Sequence, residues 1–258
     1  MSSFLLKLIA ILAMTIDHTA TVVGQLPLME AGMSAIASGR LLTAMNTFGR
    51  MAFPLFAFMI AEGCRKTRSM PRYLGRLALF AVLSEPIFYF TLNLYPDKTW
   101  GTFFDNLLRK NFTNVFFTLF LGAAAIYGVQ LLEKAAAERN LAPKFRLLAL
   151  PVVLLFVLMG GYFSTDYGMA GVLLIAALYF LPTKPLSALT VVLWSMGLYV
   201  VGYGRITGTS IFYFLGASLA ILPILLYNGR RGPRLKWIFY IYYPAHLLIL
   251  LLLNNQLL

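Results

Sequence analysis

Apolar stretches of bilayer-spanning length recur from one end of this chain to the other. Hydropathy places nine spans, at about Phe4–Gln25, Leu41–Gly63, Tyr73–Leu94, Val115–Leu132, Phe145–Tyr162, Tyr167–Leu181, Leu186–Val201, Ser210–Tyr227 and Trp237–Asn254. A membrane helix needs roughly 20 mostly apolar residues. With 60% hydrophobic and 12% charged residues among 258, the chain has too little polar surface for a soluble globule, which carries about 25% charged residues. The expected fold is an all-α polytopic membrane protein, a single domain over 1–258. The first apolar segment is too long for a signal peptide and lacks a small-residue cleavage site, so no cleaved leader is expected.

The net charge of +12 raises nucleic acid as a partner, but its placement argues for topology instead. With the N-terminus inside, Lys7, the run Arg65, Lys66, Arg68, Arg72 and Arg76, then Lys134, Arg139, Lys144 and Arg146, Lys184, and finally Arg230, Arg231, Arg234 and Lys236 all fall on the cytoplasmic side. Only six of the 21 basic residues fall elsewhere: Arg40, Arg50, Lys98, Arg109, Lys110 and Arg205. The positive-inside rule then gives N-in and C-out. The lone Cys64 implies no intrachain disulfide.

Ionisable groups inside the spans are costly and persist where they meet a partner or line a cavity. Asp17-His18 is such a pair in the first span. Counted from the nearest cytoplasmic basic residue, His18 lies about 16 Å deep, Arg50 about 22 Å, Glu85 about 20 Å and His246 about 15 Å. Asp166 sits near the outer end of the sixth span and within reach of the same slab. Two histidines, an arginine and two carboxylates from different spans thus share one depth.

Helix angle separates the dipeptide. Lys7 and His18 differ by a net turn of about 20° and share one face of the first helix, whereas Asp17 stands about 100° from His18. The carboxylate that orients His18 is therefore expected from another helix, with Glu85 and Asp166 as candidates. Asp17 is read as a structural residue that pairs with Arg50 or a neighbouring hydroxyl. The two histidines lack local ligand spacing and there is no thiolate cluster, so no metal is expected.

Two external stretches are long, Leu26–Arg40 and Asn93–Asn114. In the second, Trp100, Phe103, Phe104 and Leu107 alternate with Asp97, Asp105 and Arg109. Two readings stand for it: a belt helix resting on the membrane, or a roof over a site open to the outer face.

Several motifs together resemble the TraX family over nearly the whole chain. They are Lys7 through Asp17-His18, Gly49-Arg50-Met-Ala-Phe53-Pro54, Ala61-Glu62-Gly63-Cys-Arg65, Tyr73-Leu-Gly-Arg76, Ser84-Glu85-Pro86, Asp166-Tyr167-Gly168, Asn228-Gly229-Arg230-Arg231-Gly232, and Tyr242-Tyr243-Pro244-Ala-His246. The namesake of that family acetylates the N-terminus of pilin in conjugation, and the family is similar to the wider group of transmembrane acyltransferases. Lys7, His18, Arg50 and Phe53 match the arrangement of that group.

The resemblance implies a bacterial cytoplasmic-membrane enzyme that takes an acetyl group from acetyl-CoA. Lys7, Arg65, Arg68, Arg72, Arg76, Arg230 and Arg231 would hold the donor's phosphates. His18 would act as general base or take the acetyl group itself. Glu85 or Asp166 would orient it, and Arg50 or His246 would stabilise the oxyanion. The acceptor, a peptide N-terminus, a sugar or a lipid head group, would approach from outside, and membrane lipids would surround the rest. A small proton-coupled transporter or flippase is the alternative reading, with a non-catalytic assembly factor as a third.

Overall fold

A computed structural model describes residues 1–92, 98–139, 148–202, 207–233 and 236–257, with the side chains of Lys236 and of 254–257 left aside. The start of the expected fifth span at Phe145, the stretch Asn93–Asp97, and the basic residues Lys144, Arg146, Arg205 and Arg234 lie outside the described residues, as does the side chain of Lys236. The described residues are helical and contain no strand. They pack as two compact units, one drawn from 1–56, 86–96 and 183–258, the other from 57–85 and 97–182.

Among the described residues, six helical stretches are long and apolar enough to cross a membrane: Ser3–Val23, Ala35–Lys66, Met70–Leu92, Val115–Glu138, Lys184–Val201 and Gly208–Leu226. The other three expected spans are shorter apolar helices, Ala149–Tyr162, Gly168–Phe180 and Trp237–Leu253. The 13 residues of Gly168–Phe180 cover about 20 Å at helical rise, short of a hydrocarbon core of roughly 30 Å. Large side chains such as Leu12, Val82, Leu150, Leu222 and Ile249 stand outward and exposed on these helices, as lipid-facing residues do.

The first unit is built around α1 (Ser3–Val23), with Ser2 capping its N-terminus by accepting from the Leu5 amide. A short α2 (Leu26–Glu30) leads to α3 (Ala35–Gly49), capped by Ser34. The expected external stretch Leu26–Arg40 is thus largely helical. The second expected span is also interrupted: α4 (Ala52–Lys66) begins anew after Arg50-Met51. Pro54 has no amide to donate to the residue four before it, which favours a fresh first turn over a continuous helix.

Glycines let these helices meet. A Cβ on Gly49 would lie 2.3 Å from Asp17 Cβ and 2.9 Å from its Cα, so α1 and α3 touch nearly backbone to backbone. A Cβ on Gly216 of α11 (Gly208–Ser218) would lie 1.8 Å from the Thr47 carbonyl oxygen. Small residues at such contacts are how membrane helices approach without a hydrophobic drive.

The helices of the second unit are α4 beyond Ala57, the first part of α5 (Met70–Leu92), α6 (Trp100–Leu108), α7 (Val115–Glu138), α8 (Ala149–Tyr162) and α9 (Gly168–Phe180). The last three pack on one another around Val129, Val153 and Ala176. A reciprocal Thr99–Thr102 capping box starts α6, on which Trp100, Phe104 and Leu108 form an exposed apolar stripe while Phe103 is buried. The first unit is completed by α10 (Lys184–Ser195), a π-helical turn at Met196–Val201, α11, α12 (Ile221–Leu226) and α13 (Lys236–Leu257).

Candidate functional site

Within the first unit, α1 presents two faces to two partners. Thr15 and His18 meet α13, where Thr15 Oγ1 lies 2.8 Å from the Tyr242 hydroxyl and His18 Nδ1 lies 2.8 Å from His246 Nε2. The Lys7 ammonium on the same side lies 4.9 Å from the centre of the Phe239 ring. Asp17 meets the end of α3 instead, where Arg50 Nη2 donates to both of its carboxylate oxygens. The guanidinium also lies over the Tyr213 ring at 5.2 Å. Phe53, Trp194, Tyr199 and Tyr213 continue as a chain of ring contacts beside that pair, and the π-helical turn carries Tyr199 into it.

The imidazoles of His18 and His246 are nearly parallel, at 8° with centroids 5.1 Å apart. Nitrogens only 2.8 Å apart are too close for faces in van der Waals contact, so the rings meet edge to edge through a hydrogen bond. His246 Nδ1 lies 2.9 Å from the carbonyl oxygen of Tyr242, one turn earlier. The Tyr242 ring stacks on His246 at 5.2 Å, and the Tyr243 ring sets its edge against both imidazoles. His246 is buried and His18 is half-buried.

These contacts revise the expected partner of His18. Its Nδ1 is occupied by His246, not by a carboxylate. Both oxygens of Glu85 are engaged at the start of α7: Oε1 accepts from the Thr113 amide at 2.7 Å and hydroxyl at 3.1 Å, and Oε2 accepts from the Asn114 amide at 3.1 Å and its side-chain amide. The other candidate, Asp166, is exposed in the turn between α8 and α9. Sequence reasoning missed Thr15, Tyr242 and Tyr243 around the histidines, and Thr113 and Asn114 around Glu85. Tyr242 had a signal, since it stands four residues before His246 and helical spacing brings that carbonyl to the ring.

The basic residues divide. Arg230 and Arg231 lie beside the start of α1, because their carbonyls accept from the amides of Ser3 at 2.8 Å and Phe4 at 3.2 Å. Lys7 follows one turn on. In the second unit Arg65 donates to Glu62 at 2.7 Å and to the carbonyls of Leu178 and Tyr179. It therefore caps the C-terminus of α9 rather than standing open for a phosphate. Arg68 and Arg72 are exposed and Arg76 is half-buried. Among the described residues, no three of His, Cys, Asp and Glu gather as a metal site requires.

Helices of this length, with paired ionisable side chains between them, define a multi-pass membrane protein. The chain belongs to the TraX family: residues 2–254 match the family described as TraX protein. It is also similar to the probable fimbrial assembly protein FimC, serogroup H1, of Dichelobacter nodosus, at 27% identity over 96% of this chain and 94% of that protein. No solved structure matches it.

Proposed function

We propose that the chain acts as one membrane-embedded acetyltransferase that moves an acetyl group from cytoplasmic acetyl-CoA to an amine or hydroxyl at the outer face of a bacterial cytoplasmic membrane. The observation that carries this reading is His18, a half-buried residue deep in an apolar helix whose ring, among the described residues, is bonded through one of its two nitrogens. A general base needs that combination of fixed ring and open nitrogen. As the acceptor attacks the thioester carbonyl, His18 takes the acceptor's proton. The carbon–sulfur bond then breaks and the CoA sulfur leaves as thiolate.

The remaining roles follow from what each side chain already touches. Arg50, a permanent cation held by Asp17 and the Tyr213 face, is the group we assign to the developing oxyanion. Lys7, Arg230 and Arg231, gathered at the start of α1, suit the donor's phosphates. N-in topology would put them on the donor's side. The fimbrial relative makes a pilin-type peptide N-terminus the first acceptor to try.

The experiment uses purified protein in lipid nanodiscs with acetyl-labelled acetyl-CoA and candidate peptide, sugar and lipid acceptors. Transfer that His18→Ala abolishes supports the reading. Unchanged turnover in that variant removes His18 from the mechanism. The histidine pair also suits a proton relay, so proteoliposomes showing substrate-dependent proton flux without acetyl transfer would favour a transporter.

A further inference from the structure

We propose that His246 is a positioning residue that fixes His18 in the tautomer with a hydrogen on Nδ1 and a lone pair on Nε2, through a chain that ends at the Tyr242 carbonyl. The catalytic meaning of this assignment rests on the acetyltransferase reading, whereas the proton positions do not.

A carbonyl oxygen only accepts, so His246 Nδ1, 2.9 Å from the Tyr242 oxygen, carries a hydrogen and donates it. A neutral imidazole holds a single N–H, which leaves His246 Nε2 as a bare acceptor. His18 Nδ1, 2.8 Å from that nitrogen, must then supply the hydrogen. The remaining nitrogen, His18 Nε2, keeps its lone pair, and among the described residues no group bonds to it. The tautomer of a working histidine is set by the bond its other nitrogen makes, commonly to a carboxylate or a carbonyl. Here a second imidazole relays a backbone carbonyl to it.

The surroundings hold the relay in register. Thr15 Oγ1 bonds the Tyr242 hydroxyl at 2.8 Å and the Ile11 carbonyl at 2.8 Å, tying the tyrosine that stacks on His246 back to α1. Turning the His246 ring over would put carbon where each nitrogen now bonds and forfeit both contacts at once. When His18 Nε2 gains a proton, its Nδ1–H still points at a neutral acceptor, and the bond becomes charge-assisted and stronger. An oxyanion role for His246 does not fit, because its one N–H is already given to Tyr242.

The chain has only two histidines, so ring-15N-histidine protein, purified on a tag free of histidine into nanodiscs, gives two ring spectra. Both are expected to show hydrogen on Nδ1 and a bare Nε2. His246→Gln presents an amide oxygen near where Nε2 stood and should keep His18 Nδ1-protonated. The shorter side chain of His246→Asn should release His18 to the Nε2–H form. Wild-type His18 carrying its hydrogen on Nε2 overturns the proposal, as does an unchanged His18 spectrum in folded His246→Asn. Should that variant not fold, the wild-type spectrum alone decides. In turnover, His246→Gln should hold kcat within a few-fold and His246→Asn should lower it on the order of 10²-fold or more, with KM little changed. Absence of acetyl transfer in the wild type would remove the enzymatic reading and leave the proton assignment to stand or fall on the spectra.

Discussion

Glu85 in the second unit and the His18–His246 pair in the first are both polar groups set into apolar helices, and they differ in what is left over. Glu85 is 3% exposed and accepts four hydrogen bonds from Thr113 and Asn114. Asn114 in turn caps α7 through the Phe116 amide at 2.9 Å. Every strong acceptor site on that carboxylate has a donor, and the assembly pins the start of a helix. His18 sits in a fixed ring contact yet has one nitrogen that no described residue fills. A saturated centre holds structure. A centre with one valence open is equipped for chemistry.

The largest effect should come from the open centre. His18→Ala should lower acetyl transfer by about 10²–10⁴-fold, while costing stability only about 1 kcal/mol for the acceptor it strands on His246. An equal loss in activity and stability would erase the distinction between the centres. Glu85→Ala should do the reverse. It strands the Thr113 and Asn114 amides and should lower unfolding free energy by about 2–4 kcal/mol. Cys64 is the only cysteine and is buried in the same unit, so a thiol-reactive dye reads that loss as a lower melting point. Specific activity per folded molecule should stay near wild type.

Gly49→Ala tests the scaffold beneath the open centre. Its Cβ would force α1 from α3 beside Asp17, at a cost of about 1–3 kcal/mol, visible in circular-dichroism melting in detergent. The smallest effect belongs to Glu138→Gln, which breaks a 3.8 Å pair with Lys134 whose side chains are 73% and 65% exposed. Less than about 0.5 kcal/mol should change in the same melting experiment.

Helices could be read from the sequence because apolar runs in a bilayer solvent leave the backbone few alternatives. The α3–α4 break at Arg50-Met51 was missed, since hydropathy averages over a local interruption that Pro54 encodes. The separate faces of Asp17 and His18 follow from helical angle alone, as the contacts with α3 and α13 illustrate. Partners across helices were not legible in the same way. His246 stands 228 residues from His18, and Leu178 stands 113 residues from the Arg65 that caps its helix. Depth places such residues in one slab, but lateral order depends on packing, and here packing turns on Gly49 and Gly216. The expectation of a carboxylate on His18 came from the commonest chemical solution, where the chain uses an imidazole and a carbonyl.

The edge-to-edge meeting of the two rings also has a consequence for covalent labelling. Diethylpyrocarbonate acylates an imidazole through an available lone pair. His246 offers neither nitrogen, because one carries a hydrogen and the other faces His18. His18 offers Nε2. Limited treatment should therefore add one carbethoxy group to the folded protein, on the peptide bearing His18, and a second only after unfolding. To an electrophile, the two histidines would count as one.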